Sequence, residues 1–282
     1  MTKAFSVVSW NIKKFKGDKA RAERVAVLLE NKDPDVFAIY EASGGDVFLP
    51  LAKHLKGYTF HTTEGRQSQE IVVGVKNDVS AFITQKTEFQ SGASLMRPGL
   101  LVTVERDSVY YPLLFLHLAS SPDPRGMGLR DDMLDRAFHF KKILEEALQA
   151  IGQAKANYMF LGDLNTMGLK YPFGVRGGKH GFDGKVELAK WDRFGNKDIY
   201  AMQRLSKTHD VTYRSHGGHL QGNLDHVYAE KHLRFKKFNK GSSGRVDVEV
   251  SGWVDQTSEQ DIQDWISKYS DHSMLYLEVQ KP

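Results

Sequence analysis

Six stretches of this chain end in residues able to bind a hard cation or move a proton. Asn11 closes SVVSWN, and Glu41 closes DVFAIYE. His117 lies in LLFLHLAS, Asp163 and Asn165 in MFLGDLN, Asp225 in NLDHVYA, and Asp271-His272 opens SDHSMLYLEV. Carboxylate and carboxamide oxygens suit Mg²⁺-like ions, and imidazoles suit proton transfer near neutral pH. Taken singly, each has a structural explanation. An Asn or Asp after a strand bonds its own backbone in a turn, Glu41 can cap the loop that follows it, and a His in an apolar strand is often a core residue. Six strand ends that all carry metal-ligand or acid–base types point instead to one site for metal-assisted hydrolysis.

Short apolar runs bounded by turn signals must position these residues: FSVVSWNI, PDVFAIYE, EIVVGVK, GLLVTVE, YPLLFLHLA, NYMFLGDL, NLDHVYA and SMLYLEV. Many are apolar without a break, as in strands buried on both faces. Helical spacing is sparser. A first helix is expected over about 18–31, ended by Asp33-Pro34. Residues 129–150 set Leu134, Phe138, Ile143, Leu144, Ala147 and Leu148 near one face. Ser258 and Asp261 have capping-box spacing ahead of Ile262, Trp265, Ile266 and Tyr269. Strands outnumber helices, which favours two packed sheets flanked by helices over one doubly wound sheet. No repeat, low-complexity tract or linker divides residues 1–282, so one domain is expected. The least regular stretches are 166–208 and 238–246.

Composition narrows the function classes. Hydrophobic residues make up 40% and charged residues 26%, so a packed core is expected. There is no cysteine, which removes disulfides, zinc thiolates and cysteine nucleophiles. No segment approaches the ~20 apolar residues that span a bilayer, and no leader pattern opens the chain. The expectation is a cytoplasmic protein without a membrane partner. The net charge of +4 gathers in two runs: Lys13, Lys14, Lys16, Lys19, Arg21 and Arg24, then Lys231, Arg234, Lys236, Lys237 and Lys240. Such runs are commonly solvated faces, and they also suit a polyanion.

The full set of motifs resembles the endonuclease/exonuclease/phosphatase superfamily, from SWNIKKF at residue 9 to SDHSM at residue 274. GDLN stands where that family has GDFN, and SDHSM carries its terminal S-D-H. LLFLHLASSPD, a long helix and MFLGDLN are most similar to the deoxyribonuclease I-like branch, since exonuclease III-type relatives commonly have Tyr where His117 stands. The resemblance implies an α+β fold, a four-layer α/β/β/α sandwich of two mixed β-sheets flanked by helices, with the site at one end. It implies a Mg²⁺ cofactor, with Mn²⁺ as an alternative, held by Glu41, Asp271 and Asn11. His272 oriented by Asp225 is then the general base. Asp163 and Asn165 hold the water and a phosphoryl oxygen, and His117 assisted by Glu70 protonates the leaving group.

Three substrate readings stay open at this point. The first is a DNA endonuclease leaving 5′-phosphate and 3′-hydroxyl ends, with Tyr171, Arg176, Lys179 and His180 as candidate strand contacts and the Gly-rich turn bearing Arg214 shaping the substrate rim. The second is a phosphatase or phospholipase-like esterase acting on a small or lipid phosphoester, and the third is a non-enzymatic scaffold. His209, His216 and His219 raise a zinc site, which their irregular spacing does not favour. His226, next to Asp225, should face the other side of its strand.

Overall fold

A computed structural model describes residues 2–14, 17–42, 44–65, 70–93, 96–153, 155–171, 181–241 and 244–281, apart from the Glu70 side chain. The chain opens with β1 (Lys3–Asn11), α1 (Lys19–Lys32), β2 (Val36–Ala42) and α2 (Gly44–His54). Then come β3 (Tyr58–Thr62), β4 (Glu70–Lys76), β5 (Ser80–Lys86), β6 (Gly99–Arg106) and β7 (Val109–His117), followed by α3 (Pro124–Gln149) and β8 (Met159–Asp163). A short pair, β9 (Leu169–Lys170) and β10 (Gly181–Phe182), precedes α4 (Gly184–Gly195) and β11 (Met202–Arg204). The remainder is β12 (Tyr213–Arg214), β13 (Gln221–Gly222), β14 (Asp225–Glu230), β15 (Phe238–Asn239), β16 (Arg245–Val246), β17 (Glu249–Ser251), α5 (Glu259–Lys268) and β18 (Met274–Gln280).

Two mixed six-stranded sheets result, ordered β17-β18-β1-β2-β4-β3 and β11-β14-β8-β7-β6-β5. Each has one parallel pair at its centre, β1 with β2 and β7 with β8, among antiparallel neighbours. Apolar rows fill the space between the sheets, among them Phe5, Val7, Ala38, Val73, Val102, Phe115, Leu161, Val227 and Leu277. The outer face of the first sheet packs Val8, Trp10, Phe37 and Ile39 against α1, α2 and Trp265 of α5. That of the second packs Leu114, Leu116, Phe160 and Tyr228 against α3 and α4. The fold is the four-layer sandwich that the sequence led us to expect.

All eight apolar runs are strands. Helix α1 is capped by Asp18, whose side chain accepts from Arg21 N, and ends at Asp33 in a left-handed conformation. Ser258 caps α5 as expected, but Asp261 closes the box through the Ser258 hydroxyl at 2.6 Å. Three expectations need correction. Helix α3 begins at Pro124, where Asp123 caps it and proline suits the first turn, and Ile143 on it is exposed. The irregular stretch 166–208 contains α4, whose buried face holds Glu187 beside Leu188 and Trp191. That buried carboxylate hides the apolar stripe in the sequence. Residues 238–246 include the paired strands β15 and β16. Among the described residues no helix is long and apolar enough to cross a membrane.

Candidate active site

The two parallel pairs bring four strand ends to one end of the sandwich: Asn11, Glu41, His117 and Asp163. The antiparallel neighbours β14 and β18 start there, which adds Asp225 and Asp271-His272. Alternation aims most of them inward. Leu113 and Phe115 face the other sheet and Leu114 and Leu116 face α3, so His117 continues the inward row. The same parity carries Met159 and Leu161 to Asp163, Val227 and Ala229 back to Asp225, and Phe5 and Val7 to Asn11. Register sets His117 and Asp225 on either side of Asp163.

Glu41 breaks the alternation, since Tyr40 already faces inward. Its φ of 60° and the pairing shift between Ile39 and Ala42 turn the carboxylate back toward the site. Gly162 is equally constrained: at φ 145° a Cβ would lie 1.9 Å from Leu116 O and 2.8 Å from the Tyr40 hydroxyl. Asn165 sits at φ 49°, a conformation its short polar side chain tolerates.

Asp163 is the hub. Its Oδ2 accepts from Asn11 Nδ2 at 2.9 Å and lies 3.5 Å from His117 Nε2 and 3.8 Å from His272 Nε2, while Oδ1 accepts from Asn165 N at 3.1 Å. His272 Nδ1 is 2.9 Å from Asp225 Oδ2. Glu41 Oε1 is 3.3 Å from Asn11 Nδ2 and 3.9 Å from His117 Nε2, and Oε2 accepts from Lys14 N at 3.1 Å. Asp271 meets Lys13 Nζ at 3.3 Å. Trp10 Nε1 donates to His272 O at 2.9 Å, and Ser270 Oγ to Asn11 O at 2.7 Å, fixing the S-D-H turn against β1.

Electrostatics set the two imidazoles apart. Burial holds His117 well below the usual histidine range, and the Arg97 and His272 charges push it the same way. Burial also opposes charge on His272, but Asp225 and Asp163 outweigh it and carry its pKa up to about 10. Burial pushes Asp163 up to about 7; the His272 charge opposes this, while Asp225 and Glu41 add to it. Such a carboxylate cluster invites positive charge, and its oxygens suit a hard divalent cation. Asp163, Asp225 and His272 each place one donor atom within 4.8 Å of the others. Two of the three already satisfy each other through the Nδ1–Oδ2 bond. Glu41 and Asp271 are the more accessible carboxylates, with side chains 22% and 15% exposed.

These groups open into a cavity of about 810 Å³ shared by His117, Asp163, Asn165, His272, Glu41 and Asp271. Lys13, Lys170 and Lys185 also border it, and Leu188, Leu224 and Tyr213 form part of its wall. Thus Asn11, Glu41, His117, Asp163, Asn165, Asp225, Asp271 and His272 are brought together. The Glu70 side chain, Arg176, Lys179 and His180 lie outside the described residues. Tyr171 is exposed just beyond β9. Arg214 is not in the cavity wall: its guanidinium pairs with Glu259 of α5 at 2.5 Å, while its backbone N donates to Asp271 O. His226 faces the helix side as expected, bonded to Thr166 Oγ at 2.9 Å. His209, His216 and His219 form no ligand group among the described residues.

Sequence reasoning passed over Arg97. It is buried, and Glu41 and Asp163 act on it against the burial that lowers its pKa. An arginine directly ahead of Pro-Gly and a buried strand was the available signal. The basic run 231–240 does not border the site. Lys236, Lys237 and Lys240 pair with Glu278, Asp247 and Asp210. Glu278 lies toward the far end of β18 from His272, about 20 Å along an extended chain.

A two-sheet sandwich with clustered acids and imidazoles at the ends of its central strands defines a class of phosphoester hydrolases. The Endonuclease/Exonuclease/phosphatase family model matches residues 8–272, and the chain belongs to that family. Its members hydrolyse phosphoester bonds and are generally dependent on divalent metals. No curated protein matches the chain in sequence. Among solved structures, truncated TDP2 from Caenorhabditis elegans is similar with a TM-score of 0.62 and 16% identity, over 98% of this chain and 97% of that one. TDP2 of D. rerio complexed with single strand DNA product gives 0.59 and 16%, over 98% and 99%. A mannosyl-6-phosphatase from Bacteroides thetaiotaomicron gives 0.60 and 13%, over 98% and 100%. At these identities the likeness is one of fold.

Proposed function

We propose that this chain is a divalent-metal-dependent phosphodiesterase that cuts DNA, leaving 5′-phosphate and 3′-hydroxyl ends. The observation that carries the reading is the pair of buried imidazoles on either side of Asp163 Oδ2, 3.5 and 3.8 Å away. One can serve the attacking water and the other the departing oxygen. Glu41, Asp271 and Asn11 are the residues to hold the cation. When bound, Mg²⁺ or Mn²⁺ would neutralise charge developing on the phosphoryl oxygens and lower the proton affinity of nearby bases.

His272, oriented by Asp225, would take the proton of the attacking water once a bound cation offsets the carboxylate charge that keeps it protonated in the metal-free protein. Asp163 and Asn165 hold that water and a non-bridging oxygen. His117 gives a proton to the departing 3′-oxygen. Burial lowers its pKa and so works against carrying that proton, and an incoming phosphodiester anion raises its proton affinity again. Lys13, Lys170 and Lys185 supply positive charge near the substrate, and exposed Tyr171 offers a ring to a base. The structural likeness to a DNA-bound TDP2 supports the choice of polymer.

One observation favours a second reading. The partly apolar cavity of about 810 Å³ is large enough for a small phosphoester, and a mannosyl-6-phosphatase shares the fold. Supercoiled plasmid incubated with Mg²⁺ beside a chromogenic phosphodiester separates the two. The first reading expects nicked circles. Hydrolysis of the small ester with plasmid left intact would replace it with the second.

A further inference from the structure

Lys207 is a buried lysine outside the acid–base set. It is 2% exposed, and its Nζ lies 2.6 Å from Asp225 O and 2.6 Å from Asn223 Oδ1. A lysine nitrogen between two oxygens donates to both, so the Asn223 carboxamide has one permitted orientation. Its oxygen faces Lys207, and its Nδ2 takes the other branch. Among the described residues Nδ2 has no acceptor, whereas Asn223 borders the cavity that His117, Asp163, Asn165 and His272 share. The backbone is held as firmly: Asn223 O accepts from Thr166 Oγ at 2.8 Å and lies 2.9 Å from His226 Nε2. Thr212 Oγ, in turn, accepts from both Leu224 N and Asp225 N at 3.1 Å.

Resting on the phosphodiesterase reading, we propose that Asn223 is a substrate-binding residue whose Nδ2 donates to a phosphoryl oxygen, and that Lys207 is the positioning residue that orients it. A buried lysine is costly unless its partners repay it, and here they are two groups of the site. The two bonds place the amide donor and the Asp225–His272 pair on one rigid support. An amide recognises an anionic oxygen without adding charge beside the carboxylates, which would otherwise compete for a lysine or arginine in its place.

The test uses the full chain with Mg²⁺ and two readouts. In the first, inorganic phosphate is titrated into protein with ¹⁵N-labelled asparagine, the Asn223 side-chain amide being assigned from Asn223→Ala. A saturable shift of that resonance is expected, together with its loss or a weakening of at least tenfold in Lys207→Met. The second is steady-state hydrolysis of a chromogenic phosphodiester. Asn223→Ala should raise KM at least tenfold with a smaller change in kcat, and Lys207→Met should follow it while Lys207→Arg restores most of the loss. Melting curves show whether Lys207→Met is folded. If it is not, Asn223→Ala and Asn223→Asp carry the test, the aspartate being the worse because it repels phosphate. An unchanged amide resonance, or KM within twofold of wild type in folded Asn223→Ala, overturns the proposal. A wild-type chain inert toward phosphoesters whose Asn223 amide still shifts with phosphate would count against the phosphodiesterase reading and leave the binding site standing.

Discussion

At the residue scale, the site is a set of charges that must be held apart until needed. Alanine at His117 or His272 removes a proton-transfer group, and each substitution should lower kcat by roughly 10²–10⁴-fold while the melting temperature shows an intact fold. A His272→Ala variant that kept more than about a tenth of wild-type turnover would remove His272 from the mechanism. The same groups predict an unusual dependence of stability on pH. The native state of the metal-free protein holds protons on Asp163 up to about pH 7 and on His272 up to about pH 10, beyond the ordinary values of 3.8 and 6.5. A group whose folded pKa is raised contributes stability that is present below the unfolded value and lost as pH rises through the folded one. Buried His117 and His226 act with the opposite sign below about pH 6.5, and Lys207 above about 7, so the effect is read against a variant. Metal-free wild type should lose melting temperature relative to Asp163→Asn as pH rises from about 4 to 7, and Mg²⁺ should reduce that loss. Melting curves across that range check it. A difference between wild type and Asp163→Asn that does not change with pH would contradict the charge arrangement.

At the element scale, two features hold the strand ends in place. Gly162 lets β8 pass against Leu116 O, and Gly162→Ala should cost about 3 kcal/mol or more through overpacking and strain at a positive φ. The other is a fully buried ion pair between Arg130 of α3 and Glu187 of α4, Nε to Oε1 at 3.0 Å. Arg130 also donates to the carbonyls of Ala119, Ser121 and Gly168, and Glu187 Oε2 accepts from Gly168 N at 2.7 Å. It thus ties both helices to the loops that follow β7 and β8. Glu187→Ala leaves a buried guanidinium unpaired and should cost about 3–5 kcal/mol, read as a shift in denaturation midpoint. Much at this scale was legible beforehand, because uninterrupted apolar runs mark buried strands and parity then aims Asn11, His117, Asp163 and Asp225 at one another. Glu41 was legible as a residue but not as an orientation, which rests on one left-handed φ. Helix α4 was hidden because its buried face carries Glu187, and its partner Arg130 is 57 positions away in sequence. Lys207 was hidden for the same reason: only folding brings it to Asn223 and Asp225.

At the scale of the whole molecule, the two mixed sheets put every described candidate catalytic side chain at one end, and the positive charge there is modest. Lys13 is committed to Asp271, while Lys170 and Lys185 stand exposed at the cavity. If the substrate is a polynucleotide, these lysines serve its flanking phosphates. The double variant Lys170→Glu, Lys185→Glu should lower plasmid nicking by roughly tenfold and flatten its salt dependence, with hydrolysis of a small diester little changed. The most direct test of the account as a whole is the rate of phosphodiester hydrolysis by wild-type protein, first stripped of metal with a chelator and then restored with Mg²⁺ or Mn²⁺. The account predicts no turnover when stripped and recovery on restoration. Undiminished hydrolysis in the chelator, or none after either ion is supplied, would contradict it.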